Sequence, residues 1–180
     1  VTTASTGGTA YLTGRVPDGE WLPWVVVAAA SPEPTEGEPT TAWYDEGFAN
    51  YRIVSDLFSK GYLPPAAFAR IVDQATTSYG NSPFRRAPQA QVEETFASSR
   101  DMRELPANRG LLFAVFLAAR IRAATGGTKT LADALAHMNT TGDPGPALVD
   151  AVAGIDAGDI GPLYHRYIVG CDLLQLPRDA

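Results

Sequence analysis

From Thr41 onward the apolar positions recur at helical spacing. Trp43, Phe48, Tyr51, Ile53, Val54, Leu57 and Phe58 fall near a 3.6-residue period, which gathers them on the stripe of a helix that faces a core. Thr41 stands as the N-cap, and Asp45 and Glu46 fall in or near the first turns, where carboxylates complement the positive end of the helix dipole. Gly61 is the stop. A second helix is expected from Pro64-Pro65, whose fixed φ suits a first turn, through Phe68, Ile71, Val72 and Ala75 to Tyr79-Gly80-Asn81.

Ser82–Ala90 carries Pro83, Pro88 and Arg85-Arg86 and reads as a loop, with a short helix over Val92–Ser98 after it. The third long helix is expected from about Ala107 to Ala124. It is nearly apolar from Leu111 to Leu117, so it belongs at the centre, and Gly126-Gly127 closes it. Thr130 and Asp133 form a near match to a capping box that opens a helix over Leu131–Met138. Two shorter helices, Pro146–Ala153 and Gly158–Val169, complete the pattern.

The first forty residues differ in kind. Residues 1–20 are rich in Thr, Ser and Gly, and Ala10-Tyr11-Leu12 suits an extended segment or edge strand. Glu20–Ala30 fits a short strand or a helix begun after Pro23. Ser31–Thr41 interleaves Pro32, Pro34 and Pro39 with acids and reads as an exposed loop. The expected organisation is an irregular or partly β arm over 1–40 and a helical domain over 41–180, in the mainly α class.

Composition narrows the chemistry. With 180 residues, 45% apolar and 19% charged, the chain suits one globular, soluble domain. The net charge of −6 is spread along the chain and leaves no basic stripe for nucleic acid or an anionic membrane. The apolar run Trp24–Ala30 is far shorter than the roughly 20 residues of a membrane-spanning helix. Cys171 is the single cysteine and reads as a free structural thiol. The compartment stays open between cytoplasm and a periplasmic or secreted location. Val1 reads as a processed end, with natural sequence expected upstream.

Few residues suggest catalysis. His137 and His165 lie on separate expected helices, whereas a zinc-binding pair needs two histidines one turn apart on one face. No Gly-x-Ser-x-Gly elbow and no phosphate-cradling glycine loop is present. Asp45 and Glu46 are adjacent, so their side chains diverge too far to share a proton. On spacing alone they are two solvated acids in a first helical turn.

Ala42-Trp43-Tyr44-Asp45-Glu46-Gly47-Phe48-Ala49-Asn50-Tyr51 resembles the aromatic-rich Glu-Gly-Phe helix of gluzincin metallopeptidases. Ser59-Lys60-Gly61-Tyr62-Leu63 and Asn108-Arg109-Gly110-Leu111-Leu112 resemble the R-A-G-L-I and N-K-G-x-L segments of the glycyl aminopeptidase family within that group. Ile121-Arg122, Thr125-Gly126-Gly127 and Thr130-Leu131-Ala132-Asp133-Ala134-Leu135 resemble its I-R-x-x-T-G-G-x-x-S-L-D-D-x-M. Tyr164-His165-Arg166-Tyr167-Ile168-Val169-Gly170 resembles its closing F-x-x-Y-V-x-G. The matches keep their order from residue 42 to about 176. The resemblance implies the C-terminal helical subdomain of a thermolysin-like fold, with Glu46 at the position of the third zinc ligand. Trp43, Tyr44 and Arg109 are the candidate substrate-binding residues, and the implied partner is a peptide or protein.

The departures bear on activity. The family carries HExxH upstream, with both histidines on zinc, while Gly19-Glu20-Trp21-Leu22-Pro23 keeps a glutamate and neither histidine. Pro106-Ala107 stand where the family has a tyrosine pair that stabilises an oxyanion, and Ala118 stands where it has an aspartate. No catalytic residue is assigned, and no cofactor is expected in this chain. Zinc is expected only if upstream sequence, such as an absent N-terminal domain of the same protein, supplies the histidines. The substitutions at 106, 107 and 118 favour a degenerate homologue over a fragment. The alternative reading is a non-catalytic peptide- or protein-binding scaffold derived from that fold.

Overall fold

A computed structural model describes residues 2–6, 9–13, 41–138, 141–170, 172–174 and 176. Glu20–Ala30, the 31–40 stretch, Val1 and Cys171, each read from sequence above, lie outside them. Strands β1 (Thr2–Thr6) and β2 (Thr9–Thr13) pair antiparallel, with Thr2 opposite Thr13 and Thr6 opposite Thr9. All other regular elements among the described residues are helical.

The first helical element opens with a π-helical turn, Trp43–Phe48, and continues as α1 (Ala49–Ser59). The backbone carbonyl of Thr41 accepts from the N–H groups of Tyr44 and Asp45, at 2.8 and 2.9 Å. Its hydroxyl donates to the Asp45 carboxylate. Thr41 therefore begins the helix through its carbonyl. Lys60 and Gly61 end α1, Gly61 at φ +73°, a left-handed conformation that glycine reaches without strain.

α2 (Pro65–Asn81) follows, with proline in its first turn as expected. Ile53, Val54 and Leu57 of α1 close with Leu63 and Ala67 over a small satellite core. α3 (Gln89–Thr95) and a 3-10 turn, Phe96–Ser98, lead to α4 (Arg100–Ala124).

α4 is the axis of the fold. It begins seven residues before the expected start at Ala107 (107 − 100) and runs through Pro106. Proline lacks an N–H and ordinarily opens a helix or breaks one. Here the side chain of Ser99 accepts from the N–H of Met102 at 3.3 Å, Asp101 sits in the first turn, and Met102 and Leu105 are buried. Capping and burial carry the extra turns despite the lost hydrogen bond. Met102, Leu105, Leu112, Phe113, Leu117 and Ile121 are nearly or fully inaccessible.

Three short helices close the body: α5 (Leu131–Ala136), α6 (Pro144–Ala153) and α7 (Gly161–Tyr164), the last continuing as a π turn over His165–Val169. Thr130 and Asp133 form a full capping box. The Thr130 hydroxyl accepts from the Asp133 N–H at 3.3 Å, and the Asp133 carboxylate accepts from the Thr130 N–H at 2.7 Å. Asp143 caps α6 by accepting from the Gly145 N–H, which moves its start two residues ahead of Pro146 (146 − 144). Gly158 has φ +86°, and the helix expected from there begins only at Gly161. Leu148, Val152, Ile160 and Ile168 join the core built on α4. No helix among the described residues is long and apolar enough to cross a membrane.

Candidate functional site

The π turn lies directly across α4. A Cβ built on Gly47 would stand 2.6 Å from the Cα of Gly110 and 2.8 Å from the carbonyl oxygen of Ala107. One built on Gly110 would stand 1.8 Å from the carbonyl oxygen of Trp43. Real side chains do not approach backbone this closely, so the crossing exists only because both positions are glycine.

That crossing sorts the residues of the first turn. Trp43 and Phe48 point inward and are each 1% exposed, while Asp45 and Glu46 point to solvent. Trp43 meets Phe48 edge-on at 5.5 Å between ring centroids and packs against Tyr164 at 5.7 Å. Phe48 continues the contact to Phe113 of α4. Tyr44 is half-buried, 5.3 Å from the Phe48 ring, with its hydroxyl on the sulfur of Met138 at 3.2 Å.

Glu46 is exposed, yet the body beneath it removes enough solvent to raise its carboxyl above the usual carboxylate range, and the Asp45 charge adds to the effect. Burial likewise raises the Tyr44 phenol; Arg52 opposes this and Asp45 adds to it. The Tyr164 hydroxyl is pushed up to about 12, first by burial and then by Asp143 and Glu93. Two groups raised by partial desolvation therefore lie within three positions of each other, at 44 and 46.

Arg109 is 1% exposed and lies inside the body. Its guanidinium donates to the carbonyl oxygen of Ala87 at 2.9 Å and to that of Arg85 at 3.4 Å, fastening the 82–88 loop to α4. Trp43 thus lies in the core under the turn and Arg109 braces the 82–88 loop, while Tyr44 and Glu46 form the accessible part of the turn. His137 and His165 are both exposed.

One carboxylate does not hold zinc, which takes three or four protein ligands. Among the described residues no group of three or more His, Cys, Asp and Glu side chains is placed to hold a metal ion. The described residues do not make up the ligand set that the gluzincin resemblance implies.

Three of the segments that carry that resemblance nevertheless meet in space. Gly47 of Glu-Gly-Phe touches Gly110 of Asn-Arg-Gly, and Tyr164 of the closing segment packs on Trp43. Sequence reasoning missed Tyr164 as a neighbour of Trp43. It also missed two clefts. One is lined by Thr77, Ser78, Asn81, Asp101, Glu104 and Asn108, with Tyr79 and Leu105. The other lies beside His137, Asp143 and Asp150. No family model matches the chain, and no curated protein matches it in sequence.

Proposed function

We propose that this chain is the helical portion of a glycyl aminopeptidase-like zinc metallopeptidase, with Glu46 at the position of the third zinc ligand and no hydrolytic activity of its own. The supporting observation is convergence: three segments far apart in sequence that each resemble that family meet at Trp43 and Gly47, and Glu46 lies exposed on the same turn. The glycine contact fixes the turn that carries Glu46 on the central buried helix, the rigid support that a ligand position needs. Partial desolvation of Glu46 fits a site built for a positive partner at the cost of some stability.

A second reading, a non-catalytic peptide- or protein-binding scaffold, is favoured by the incomplete ligand set. Both readings place a peptide at Tyr44 and Glu46, and they differ in whether zinc was ever part of the site. The test is a titration with a glycyl peptide followed by amide chemical shifts, run beside a hydrolysis assay. Perturbation around residues 44–48, reduced in Glu46→Gln and without hydrolysis, is the expected result. Shifts confined to other parts of the molecule would remove the proposed site, and hydrolysis by the purified chain would refute the statement that it is inert.

A further inference from the structure

Met138 follows α5, one residue past the C-cap His137. Its sulfur accepts a hydrogen bond from the Tyr44 hydroxyl at 3.2 Å, a contact between residues 94 positions apart. Met138 lies at the margin of the main core and is 9% exposed, with His137 and Thr141 exposed on either side in the chain. Met102, the other methionine, is 1% exposed inside α4. The two thioethers therefore differ in access to solvent and in what touches them.

We propose that Met138 is a site of reversible oxidation by hydroperoxides, and that its sulfoxide releases the Tyr44 hydroxyl from the end of α5. In the step itself a sulfur lone pair attacks the terminal oxygen of the hydroperoxide. The S–O bond forms as the O–O bond breaks, and the proton of the attacked oxygen passes to the departing one. The thioether loses two electrons, and the hydroperoxide gains them and leaves as an alcohol, or as water when it is hydrogen peroxide. Susceptibility of this kind follows exposure, which favours Met138 over Met102.

The hydrogen bond decides the stereochemistry. A thioether sulfur has two lone pairs, and Tyr44 engages one of them. The oxidant takes the other, so one sulfoxide epimer predominates. The oxidised sulfur carries partial positive charge and ceases to attract a donor, and the new oxygen is polar at the edge of an apolar core. The Tyr44 hydroxyl then turns to another acceptor, because a half-buried donor is costly to leave unpaired. Its ring stands 5.3 Å from Phe48 and 5.7 Å from Trp43, so its movement reaches the turn that carries Glu46. This oxidation site goes beyond the peptidase reading and does not rest on it.

The test is exposure of the whole chain to hydrogen peroxide, followed by peptide mass mapping and amide shifts. Met138 is expected to gain one oxygen at least about threefold faster than Met102, with shifts at 43–48 and 135–138. A reductase specific for one sulfoxide epimer is expected to restore mass and shifts, and the reductase for the other epimer to leave most of the product in place. Tyr44→Phe, which frees both lone pairs, is expected to oxidise faster at Met138 and to yield both epimers. Met138→Leu keeps a similar volume and is expected to show no peroxide-dependent shifts at 43–48. The proposal is overturned if Met102 reacts as fast as Met138 while circular dichroism shows the chain folded, if the wild type forms both epimers equally, or if complete oxidation of Met138 leaves residues 43–48 unmoved.

Discussion

Gly47 and Gly110 touch through their backbones, with only 2.6 Å between the Cα of Gly110 and the place where a Cβ of residue 47 would stand. Everything proposed for Glu46 depends on this contact, since it sets the depth at which the π turn lies on α4 and which side chains of that turn reach solvent. Gly110→Ala would drive a methyl group to 1.8 Å from the Trp43 carbonyl oxygen. Backbone cannot yield as a flexible side chain can, so a loss of about 3 kcal/mol or more is expected. For a chain of this size that lowers the thermal midpoint by roughly 6–12 °C. Circular dichroism melting checks it, and an unchanged midpoint would show that the helices can separate at no penalty.

Arg109 holds the 82–88 loop by its bonds to the Ala87 and Arg85 carbonyls. Arg109→Met keeps much of the volume and removes the donors, leaving those carbonyls without this partner. A loss of about 2–3 kcal/mol is expected, together with faster proteolytic cleavage at Arg85-Arg86. Denaturant unfolding and limited trypsin digestion measure the two effects. A variant as stable and as resistant as wild type would assign the loop's position to other contacts.

Tyr164 gives a pH signature. Its folded-state value, about 12, lies above the ordinary value of 10.0. The folded state therefore keeps its proton where the unfolded state begins to lose it. This contribution to stability is complete below pH 10 and is lost as pH rises through about 12. Tyr164→Phe, with no proton to lose, is expected to show a shallower decline over that range in alkaline unfolding curves. Parallel curves for the two proteins would count against burial of the hydroxyl.

The raised carboxyl of Glu46 has the same sign: the folded state favours its protonated form. Its contribution is greatest below the ordinary glutamate range and declines as pH rises through the raised value. At neutral pH the charge therefore opposes folding slightly. Glu46→Gln is expected to unfold at the same midpoint as wild type or a higher one at pH 7, with the difference shrinking toward pH 4. A clear destabilisation by Glu46→Gln at pH 7 would identify the residue as structural.

Much of the helical body was legible because local signals and burial agree. The helical spacing from Trp43 to Leu57, the stop at Gly61 and the Thr130–Asp133 box all act within a few residues and stand where expected, whereas Phe58, read on the core-facing stripe, is 42% exposed and packs on Phe68. The start of α4 was not legible, because Pro106 reads as a helix opening while the compensating burial of Met102 and Leu105 is tertiary. The π turn was hidden for a similar reason: it accompanies a glycine contact between residues 63 positions apart (110 − 47). The burial of Arg109 did leave a trace, since it falls four residues after Leu105 and three before Leu112, on the face that α4 buries. Arginine's usual place at the surface masks that trace. The candidate site was legible only in part, since Glu46 and Tyr44 could be named from sequence while the role of Tyr164 beneath them depends on packing.

The central claim is that Glu46 occupies a zinc-ligand position in a site that this chain does not complete. Its most direct test is the zinc retained after desalting by wild type and Glu46→Gln, each alone and each with a synthetic helical peptide carrying the HExxH sequence. The expected result is no stoichiometric zinc on either chain alone, and more zinc retained by wild type than by Glu46→Gln when the peptide supplies the histidines. Stoichiometric zinc on the chain alone, or equal retention by both proteins with the peptide, would contradict it.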